Sequence, residues 1–209
     1  MLTKKIYLVR HGQTDYNLRG VVQGSGIDAP LNRNGQLQAK AFFDSYKNIS
    51  FDKVFYTGLQ RTKQSVQSFL DLGLPHEGVP ELNEISWGRY EGVPMTPEEN
   101  IYYEHMLKRW SSGDLDYAIE GGESPTMVAR RLKKGIDHIL SQPGETFLIC
   151  MHGRAMRILL SQLLGYDLRF MDVFKHQNLG LYVLKQNSLG LFSVEKNNCG
   201  EHLKDLVLF

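Results

Sequence analysis

Two histidines that are each followed by glycine could carry chemistry, because each comes directly after an apolar segment. His11 follows Ile6-Tyr7-Leu8-Val9 and Arg10, and His152 follows the segment from Thr146 to Met151. A neutral imidazole can act as a nucleophile, and a neighbouring arginine carries a lasting positive charge that suits phosphate oxygens. These residue types predict chemistry at a phosphate group.

Transfer of a phosphoryl group requires a protein that positions the group and stabilises the negative charge on its oxygens. Arg10 and Arg61 can each offer a planar, bidentate fork to phosphate oxygens, and His152 adds a donor when it is protonated. Gly153 would begin a helix directly after a strand, so backbone N–H groups at that helix start could also face the anion. The sequence therefore predicts that several donors converge on one phosphate.

Alternating strands and amphipathic helices are expected to position these side chains. Strands are predicted from Ile6 to Val9, Lys53 to Tyr56 and Thr146 to Met151, and helices from Asn34 to Tyr46, Leu59 to Leu72, Pro97 to Trp110, Ser124 to Leu140 and Ala155 to Leu164. This order favours a three-layer α/β/α sandwich around a mainly parallel sheet, in which ligands bind beyond the carboxyl ends of the strands. Both His-Gly pairs fall at such ends.

The end of the chain predicts further strands at the edge of the sheet, with Asn187-Ser188 as a turn. These strands are predicted from Leu181 to Leu184, Leu191 to Val194 and Leu203 to Phe209. Residues 1–209 are predicted to form a single domain, in which residues 85–122 form a cap insertion over the active site. Aromatic side chains of that segment could line the cap or pack in the core, namely Trp87, Tyr90, Tyr102, Tyr103 and Trp110.

The composition favours a small-molecule partner over a nucleic acid or a membrane. The 209 residues carry a formal net charge of +1 and show no basic stripe, and no apolar run approaches the roughly 20 residues of a membrane span. Cys150 and Cys199, the only cysteines, cannot build a disulfide framework or a thiolate cluster, which suits the cytoplasm. No metal or cofactor is expected, because the remaining histidines lack metal-ligand spacing and are predicted to be structural or solvated, namely His76, His105, His138, His176 and His202.

Five short motifs in a common order resemble the histidine phosphatase superfamily, the phosphoglycerate mutase-like enzymes. The first motif runs from Leu8 to Asn17 and contains Arg10-His11-Gly12. The others are Leu59-Gln60-Arg61-Thr62, Leu82-Asn83-Glu84-Ile85 with Gly88-Arg89-Tyr90-Glu91-Gly92, Gly121-Gly122-Glu123-Ser124, and His152-Gly153. Because the motifs span most of the chain in one order, they indicate membership of that family rather than coincidence.

The resemblance implies a role for each matched residue. His11 would attack phosphorus in line and become a phosphohistidine, with a backbone carbonyl on its other nitrogen to set the tautomer. Arg10, Arg61 and His152 would hold the phosphate. Glu84 would protonate the leaving oxygen, because a bound phosphate anion favours a protonated carboxyl group, and would then activate water. Substrate binding is assigned to Asn17, Gln23, Gly24, Gly153 and Arg154.

Three positions depart from the usual pattern of the family. Gln13 stands where many members have Glu, Tyr56-Thr57-Gly58 stands where Ser and Asp are usual, and Arg154 stands where a small residue is common. Arg154 adds a cation close to the pocket, so we predict that it binds a second phosphate or a carboxylate on the substrate.

Hydrolysis of small-molecule phosphomonoesters is the predicted reaction. A mutase must keep water away from its phosphoenzyme, which favours a larger lid, and this chain is shorter than the mutases that it resembles. The motif Gly88 to Gly92 and the triplet Gly122-Glu123-Ser124 resemble the phosphatase members. A cofactor-dependent phosphoglycerate mutase is the first alternative, and a non-catalytic phospho-ligand binding protein is the second. The oligomeric state stays open, with a homodimer as one arrangement.

Overall fold

A central sheet of six strands lies between two layers of helices in the structure, a computed structural model that describes residues 3–207. The strands are β1 (Lys5–Arg10), β2 (Lys53–Tyr56), β3 (His76–Gly78), β4 (Thr146–Met151), β5 (Leu181–Gln186) and β6 (Phe192–Cys199). Their spatial order is β3-β2-β4-β1-β5-β6. The first four strands in that order run parallel, and β5 and β6 extend the sheet by antiparallel pairing. The predicted sandwich around a mainly parallel sheet is confirmed.

Helices cover both faces of the sheet. They are α1 (Asp15–Leu18), α2 (Arg33–Tyr46), α3 (Gln60–Leu70), α4 (Pro97–Ser111), α5 (Pro125–Ser141) and α6 (Gly153–Leu164). Helices α2 and α3 pack together over one face, while α5 and α6 pack together over the other. Within residues 3–207, none of these helices has the length and apolar character that crossing a membrane requires.

Strand β1 lies inside the sheet, and its side chains alternate between the two faces. Ile6 and Leu8 belong to the core under α5 and α6, whereas Tyr7 and Val9 belong to the core under α2 and α3. Because both faces are covered, the strand is apolar without interruption, as is typical of parallel sheets. This burial fixes the position of the residues that follow the strand.

Residues 85–122 pack on the same core as α5 and α6. The segment contains a 3₁₀ turn (Gly88–Tyr90) and α4, and it buries Tyr90 and Trp110 in that core. Trp110 Nε1 donates a hydrogen bond to Tyr117 O at 2.8 Å. The aromatic residues of the segment therefore serve in part as core packing, one of the two roles that the sequence left open.

The chain after β6 differs from the prediction of a final strand. Residues 203–207 form no strand, and Leu203 is the last residue of a 3₁₀ turn (Glu201–Leu203). His202 of that turn packs edge-on against Phe42 and Tyr46 and donates from Nε2 to Leu179 O at 2.9 Å. Lys204 and Asp205 interrupt the apolar stretch, which leaves too few alternating residues for a strand. Phe209 lies outside the described residues.

Candidate active site

His11 and His152 leave neighbouring parallel strands at the same edge of the sheet. Strands β1 and β4 pair with Arg10 opposite Met151, so each histidine follows the last paired residue of its strand. The two imidazole rings lie 5.2 Å apart between centroids, and they are 2% and 0% exposed. The structure thus brings the two His-Gly pairs together.

His11 is held in one tautomer by the chain itself. Its Nδ1 lies 2.7 Å from Gly12 O, and a carbonyl oxygen can only accept a hydrogen bond. The proton therefore sits on Nδ1, and the lone pair remains on Nε2. Gly12 N in turn donates to Ser65 Oγ at 2.9 Å, which ties the loop to α3. The backbone carbonyl expected from the sequence is that of Gly12.

His152 is held in the opposite tautomer by a line of hydrogen bonds. Arg61 Nε donates to His152 Nδ1 at 3.3 Å, so the proton of the neutral ring sits on Nε2. Nε2 then donates to Thr57 Oγ1 at 2.9 Å, and that hydroxyl lies 3.0 Å from Thr62 Oγ1. Thr62 Oγ1 donates to Leu59 O at 2.8 Å, which completes the line. Thr57, one of the departures from the family pattern, therefore orients His152.

Arg61 is fully buried and does not line the cavity described below. Its Nη1 donates to Ile27 O at 2.6 Å, and its Nη2 donates to Gly24 O at 3.2 Å. Arg61 therefore fastens the loop around Gly24 as well as His152. Each terminal nitrogen retains a second N–H for a ligand.

Burial and neighbouring cations keep the active-site histidines neutral. Burial lowers the pKa of His11 well below its ordinary value, and the positive charges of Arg61 and Arg10 lower it further. The pKa of His152 is lowered well below its ordinary value by burial and then by Arg61. A neutral His11 suits a nucleophile, whereas the neutral ring of His152 already uses its one N–H for Thr57 Oγ1.

The two arginines keep their charge in spite of burial. Burial lowers the pKa of Arg10 to about 10, and it lowers the pKa of Arg61 to about 10 as well. Both guanidinium groups are thus protonated near neutral pH. Arg10 Nε is buried and has no hydrogen-bond partner among residues 3–207, which leaves a charged donor for an anion.

Glu84 is buried and receives three backbone hydrogen bonds. Its Oε1 accepts from Ile85 N and Ala155 N at 2.9 Å each, and its Oε2 accepts from Arg154 N at 3.0 Å. Two of these donors belong to the first turn of α6, where the sequence suggested that N–H groups could face the phosphate. In the structure, those N–H groups bind the carboxylate of Glu84, and they fix its position in the site.

A cavity of about 300 Å³ opens over His11 and Glu84. Most of the residues predicted from the sequence line it, namely Arg10, His11, Asn17, Gln23, Glu84, Gly153 and Arg154. Arg61, His152 and Gly24 do not line it. The lining also includes residues to which the sequence assigned no role in binding, among them Val21, Val22, Arg157 and His176.

Asn17 and Gln23 present amide groups to the cavity. Asn17 Oδ1 accepts from Thr14 N and from Asn178 Nδ2, both at 3.2 Å, so its NH₂ group is the part that can face a ligand. Gln23 Oε1 is buried without a hydrogen-bond partner among the described residues. Both side chains therefore offer polar atoms that a substrate could use.

A glycine is needed at position 24 because neighbouring atoms of the protein leave no room for a side chain. A Cβ at this position would overlap the carboxylate of Glu91 and would lie 2.7 Å from Ile85 O. Glu91 accepts from Trp87 N and from Gly26 N, both at 2.8 Å. The close approach expected at Gly24 therefore involves Glu91, which clamps the Gly24 loop to the segment that begins at Ile85.

His176 and Arg157 are the main additions to the site that the sequence missed. His176 was assigned a structural or solvated role, yet it lines the cavity, and its ring occupies the space beside Gly153. Burial, followed by the charge of Arg10, lowers the pKa of His176 to about 3. Arg157 follows Gly153 by four helical positions, and this spacing could have indicated that both face the same side.

Asn178 also joins the site from a distant part of the chain. Its Nδ2 donates to His11 O at 3.0 Å as well as to Asn17 Oδ1. The next residue, Leu179, donates from its backbone N to Arg10 O at 3.0 Å. This segment supports the back of the Arg10-His11 turn, and no sequence pattern marked it.

The free energy of unfolding is expected to decrease as the pH falls from about 6.5 to about 4.5. Burial lowers the pKa of His11, His152, His176 and His202 in the folded chain, whereas unfolded histidines titrate near 6.5. Below that pH the unfolded state binds more protons, so each histidine removes up to about 1.4 kcal/mol of stability per pH unit. Urea unfolding across this range measures the slope, and a flat profile would contradict the assignment of neutral histidines.

Among residues 3–207, no group of three or more His, Cys, Asp or Glu side chains is arranged to hold a metal ion. The positive charge of the site comes from arginine side chains. The chemistry that this arrangement can support is attack by His11 Nε2 on an electrophile whose negative charge the arginines stabilise.

Comparisons with known proteins point to one family. The model of the histidine phosphatase superfamily (branch 1) matches residues 6–199. The "Probable phosphoglycerate mutase GpmB" of Yersinia pestis (strain Pestoides F) is 35% identical over 166 residues, which are 77% of this chain and 75% of that protein.

Solved structures share the fold along nearly the whole chain. The alpha-ribazole phosphatase of Shigella flexneri has a TM-score of 0.79 and 24% identity, covering 93% of this chain and 96% of that one. The mycobacterial glucosyl-3-phosphoglycerate phosphatase has a TM-score of 0.80 and 20% identity, covering 95% of this chain and 100% of that one. At such low identity, the likeness establishes the architecture and nothing finer.

Proposed function

Because this chain belongs to the histidine phosphatase superfamily, branch 1, we propose that it is a phosphatase that hydrolyses small-molecule phosphomonoesters through a phosphohistidine at His11. One observation carries this proposal. The bond from His11 Nδ1 to Gly12 O leaves Nε2 unprotonated, and His11 lines a cavity that Arg10 makes cationic. A nucleophile beside a charged guanidinium whose Nε has no partner among the described residues is suited to in-line attack on a phosphate ester.

The first half of the proposed reaction forms the phosphoenzyme. His11 Nε2 attacks phosphorus, and the bond between phosphorus and the leaving oxygen breaks. Glu84 in its protonated form donates a proton to that oxygen, so the alcohol departs uncharged. Arg10 donates to the equatorial oxygens, the second N–H groups of Arg61 Nη1 and Nη2 add to this binding, and His152 holds Arg61 in place by accepting from its Nε.

The second half returns the enzyme to its starting state. The Glu84 carboxylate accepts a proton from water, and the water oxygen attacks phosphorus. The bond between phosphorus and His11 Nε2 breaks, inorganic phosphate leaves, and Glu84 is protonated for the next cycle. The fixed position of Glu84 at the start of α6 supports its use in both steps.

A small substrate is proposed because of the size of the cavity. About 300 Å³ accommodates a phosphate with a leaving group of a few carbon atoms. The two similar phosphatase structures are named for different alcohols, so family membership leaves the identity of the leaving group open.

A cofactor-dependent phosphoglycerate mutase remains the second candidate, and the Yersinia pestis relative is the observation that favours it. A mutase would return the phosphoryl group to a second hydroxyl of the same molecule instead of to water. The two candidates therefore differ in whether inorganic phosphate is released.

Phosphate release from a panel of small phosphomonoesters is expected to proceed at the same rate with and without excess chelator. The reason is that arginine side chains and no cluster of metal ligands surround His11 among the described residues. The assay follows inorganic phosphate, and a parallel assay follows conversion of 3-phosphoglycerate to 2-phosphoglycerate. Isomerisation without phosphate release would favour the mutase, and loss of turnover in chelator would overturn the metal-independent mechanism.

A further inference from the structure

A second group of charges adjoins the cavity, apart from the residues that would hold the phosphoryl group: Arg154 and Arg157 line the cavity, and Asp172 pairs with both of them from outside its lining. Arg154 Nη1 lies 2.5 Å from Asp172 Oδ1, and Arg157 Nη1 contacts the same oxygen. The side chains of Arg154 and Arg157 are 8% and 18% exposed, while that of Asp172 is 39% exposed. Two nearly buried cations thus share one carboxylate that reaches solvent.

The geometry of this group is fixed by packing. The Arg154 guanidinium lies 5.8 Å from the ring centroid of Trp87 and 5.5 Å from that of Trp110. Cation–π contact of this kind restricts the head group. Asp172 comes from the 3₁₀ turn Leu168–Val173, which packs against α6. Both partners are therefore held in place before any ligand binds.

Two polar atoms beside this group have no partner. Arg157 Nε and His176 Nδ1 are buried and make no hydrogen bond with residues 3–207, and both residues line the cavity. Buried polar atoms are rarely left without a partner in folded proteins. Their position indicates that polar atoms of a ligand complete the bonding here.

The charges of the group leave a single net positive charge. Burial alone would raise the pKa of Asp172, but the positive charges of Arg154 and Arg157 hold that pKa below its ordinary value. Asp172 is therefore ionised near neutral pH. His176 is neutral and contributes hydrogen bonding without charge. Two cations against one anion therefore match a ligand group that carries one negative charge.

We propose that Arg154, Arg157 and His176 bind a carboxylate on the leaving group of the substrate, and that Asp172 is a specificity residue that disfavours a second phosphate. A phosphate with nearly two negative charges would exceed the net charge of the subsite and would repel Asp172 at short range. The proposal rests on the proposed function, since it concerns the leaving group of the same reaction.

Three phosphate esters with the same three-carbon chain differ in the charge at the far end of the leaving group. Propyl phosphate has no charge there, 3-phosphopropionate (the phosphate ester of 3-hydroxypropionate) has a carboxylate, and propane-1,3-diol bisphosphate has a second phosphate. For the wild-type protein, we expect kcat/KM to be highest for 3-phosphopropionate. In Asp172→Asn, the ratio of kcat/KM for the bisphosphate to that for 3-phosphopropionate is expected to rise by about tenfold. In Arg157→Met, the preference for 3-phosphopropionate over propyl phosphate is expected to fall by about tenfold.

Asp167→Asn is the matched control. Asp167 caps the same 3₁₀ turn, pairs with Arg169 at 2.8 Å and does not line the cavity. Asparagine is also a good cap, so the substrate ratios of this variant are expected to equal those of wild type.

Equal kcat/KM for the three substrates in the wild-type protein, or an unchanged ratio in Asp172→Asn, would overturn the proposal while leaving the phosphatase intact. If a variant does not fold, the wild-type ranking alone decides. If no substrate is hydrolysed, calorimetric titration of wild type with the same compounds replaces kinetics. Tighter binding of 3-phosphopropionate than of the other two would then support the subsite and reject the phosphatase, and equal binding would reject both.

Discussion

Replacement of His11 by alanine is expected to lower kcat/KM for phosphomonoesters by about 10⁴-fold or more, because the nucleophile itself is lost. His152 cannot take over the attack. Its Nδ1 accepts from Arg61 and its Nε2 proton is directed at Thr57, so neither nitrogen offers a lone pair to phosphorus. Phosphate release measures the rate, and mass spectrometry of rapidly quenched samples detects the phosphoenzyme, which should occur in wild type alone.

His105→Ala provides the control for this prediction, because His105 is exposed on α4 and lies outside the cavity. Its kinetics are expected to match those of wild type. Substantial turnover by His11→Ala, with a phosphorylated residue elsewhere in the chain, would reject His11 as the nucleophile.

Replacement of Glu84 by glutamine is expected to slow hydrolysis in proportion to the difficulty of the leaving group. Alkyl phosphates need a proton on the leaving oxygen, so their kcat should fall by about 10²-fold to 10⁴-fold. For 4-nitrophenyl phosphate, whose leaving group departs readily as an anion, the loss in phosphorylation should be about tenfold or less. A series of phenyl and alkyl phosphates gives the dependence of rate on leaving-group pKa, which should be steeper in the variant.

A glutamine at this position also loses an acceptor for a backbone N–H, so the matched control must lose one too. Glu91→Gln does so, because each carboxylate oxygen of Glu91 accepts from a backbone N–H and Glu91 lies outside the cavity lining. Both variants are expected to lose about 1–3 kcal/mol of stability. Only Glu84→Gln should steepen the dependence on the leaving group, and equal slopes in the two variants would argue against proton donation by Glu84.

The elements that carry the two histidines could be predicted from the sequence because they follow strong local rules. The segments that became β1 and β4 are uninterrupted apolar runs, and a parallel sheet brings the ends of such strands to one edge. Glu84 is different, since nothing local marks it. Its role as proton donor is predicted from the order of the motifs. The sequence does not predict its contacts with Arg154 N and Ala155 N, which depend on the tertiary structure.

Other features lacked any periodic signal. Strand β3 is His76-Glu77-Gly78, which has no apolar side chain and exists because its backbone pairs with β2 at the sheet edge. His176 and Asp172 come from irregular segments that follow α6, and their approach to Arg157 depends on how those segments fold back. A lone histidine therefore appeared solvated, although tertiary structure places it in the cavity wall.

The stacking of Trp87 on Trp110 has a practical consequence for spectroscopy. These are the only two tryptophans of the chain, and their rings lie 5.9 Å apart with the Arg154 guanidinium over both; Trp87 and Arg154 line the cavity. All indole emission of the protein therefore originates beside the binding site. A ligand that draws Arg154 away changes the surroundings of both fluorophores at once, so unlabelled protein can serve as its own optical sensor of occupancy, even in variants without turnover.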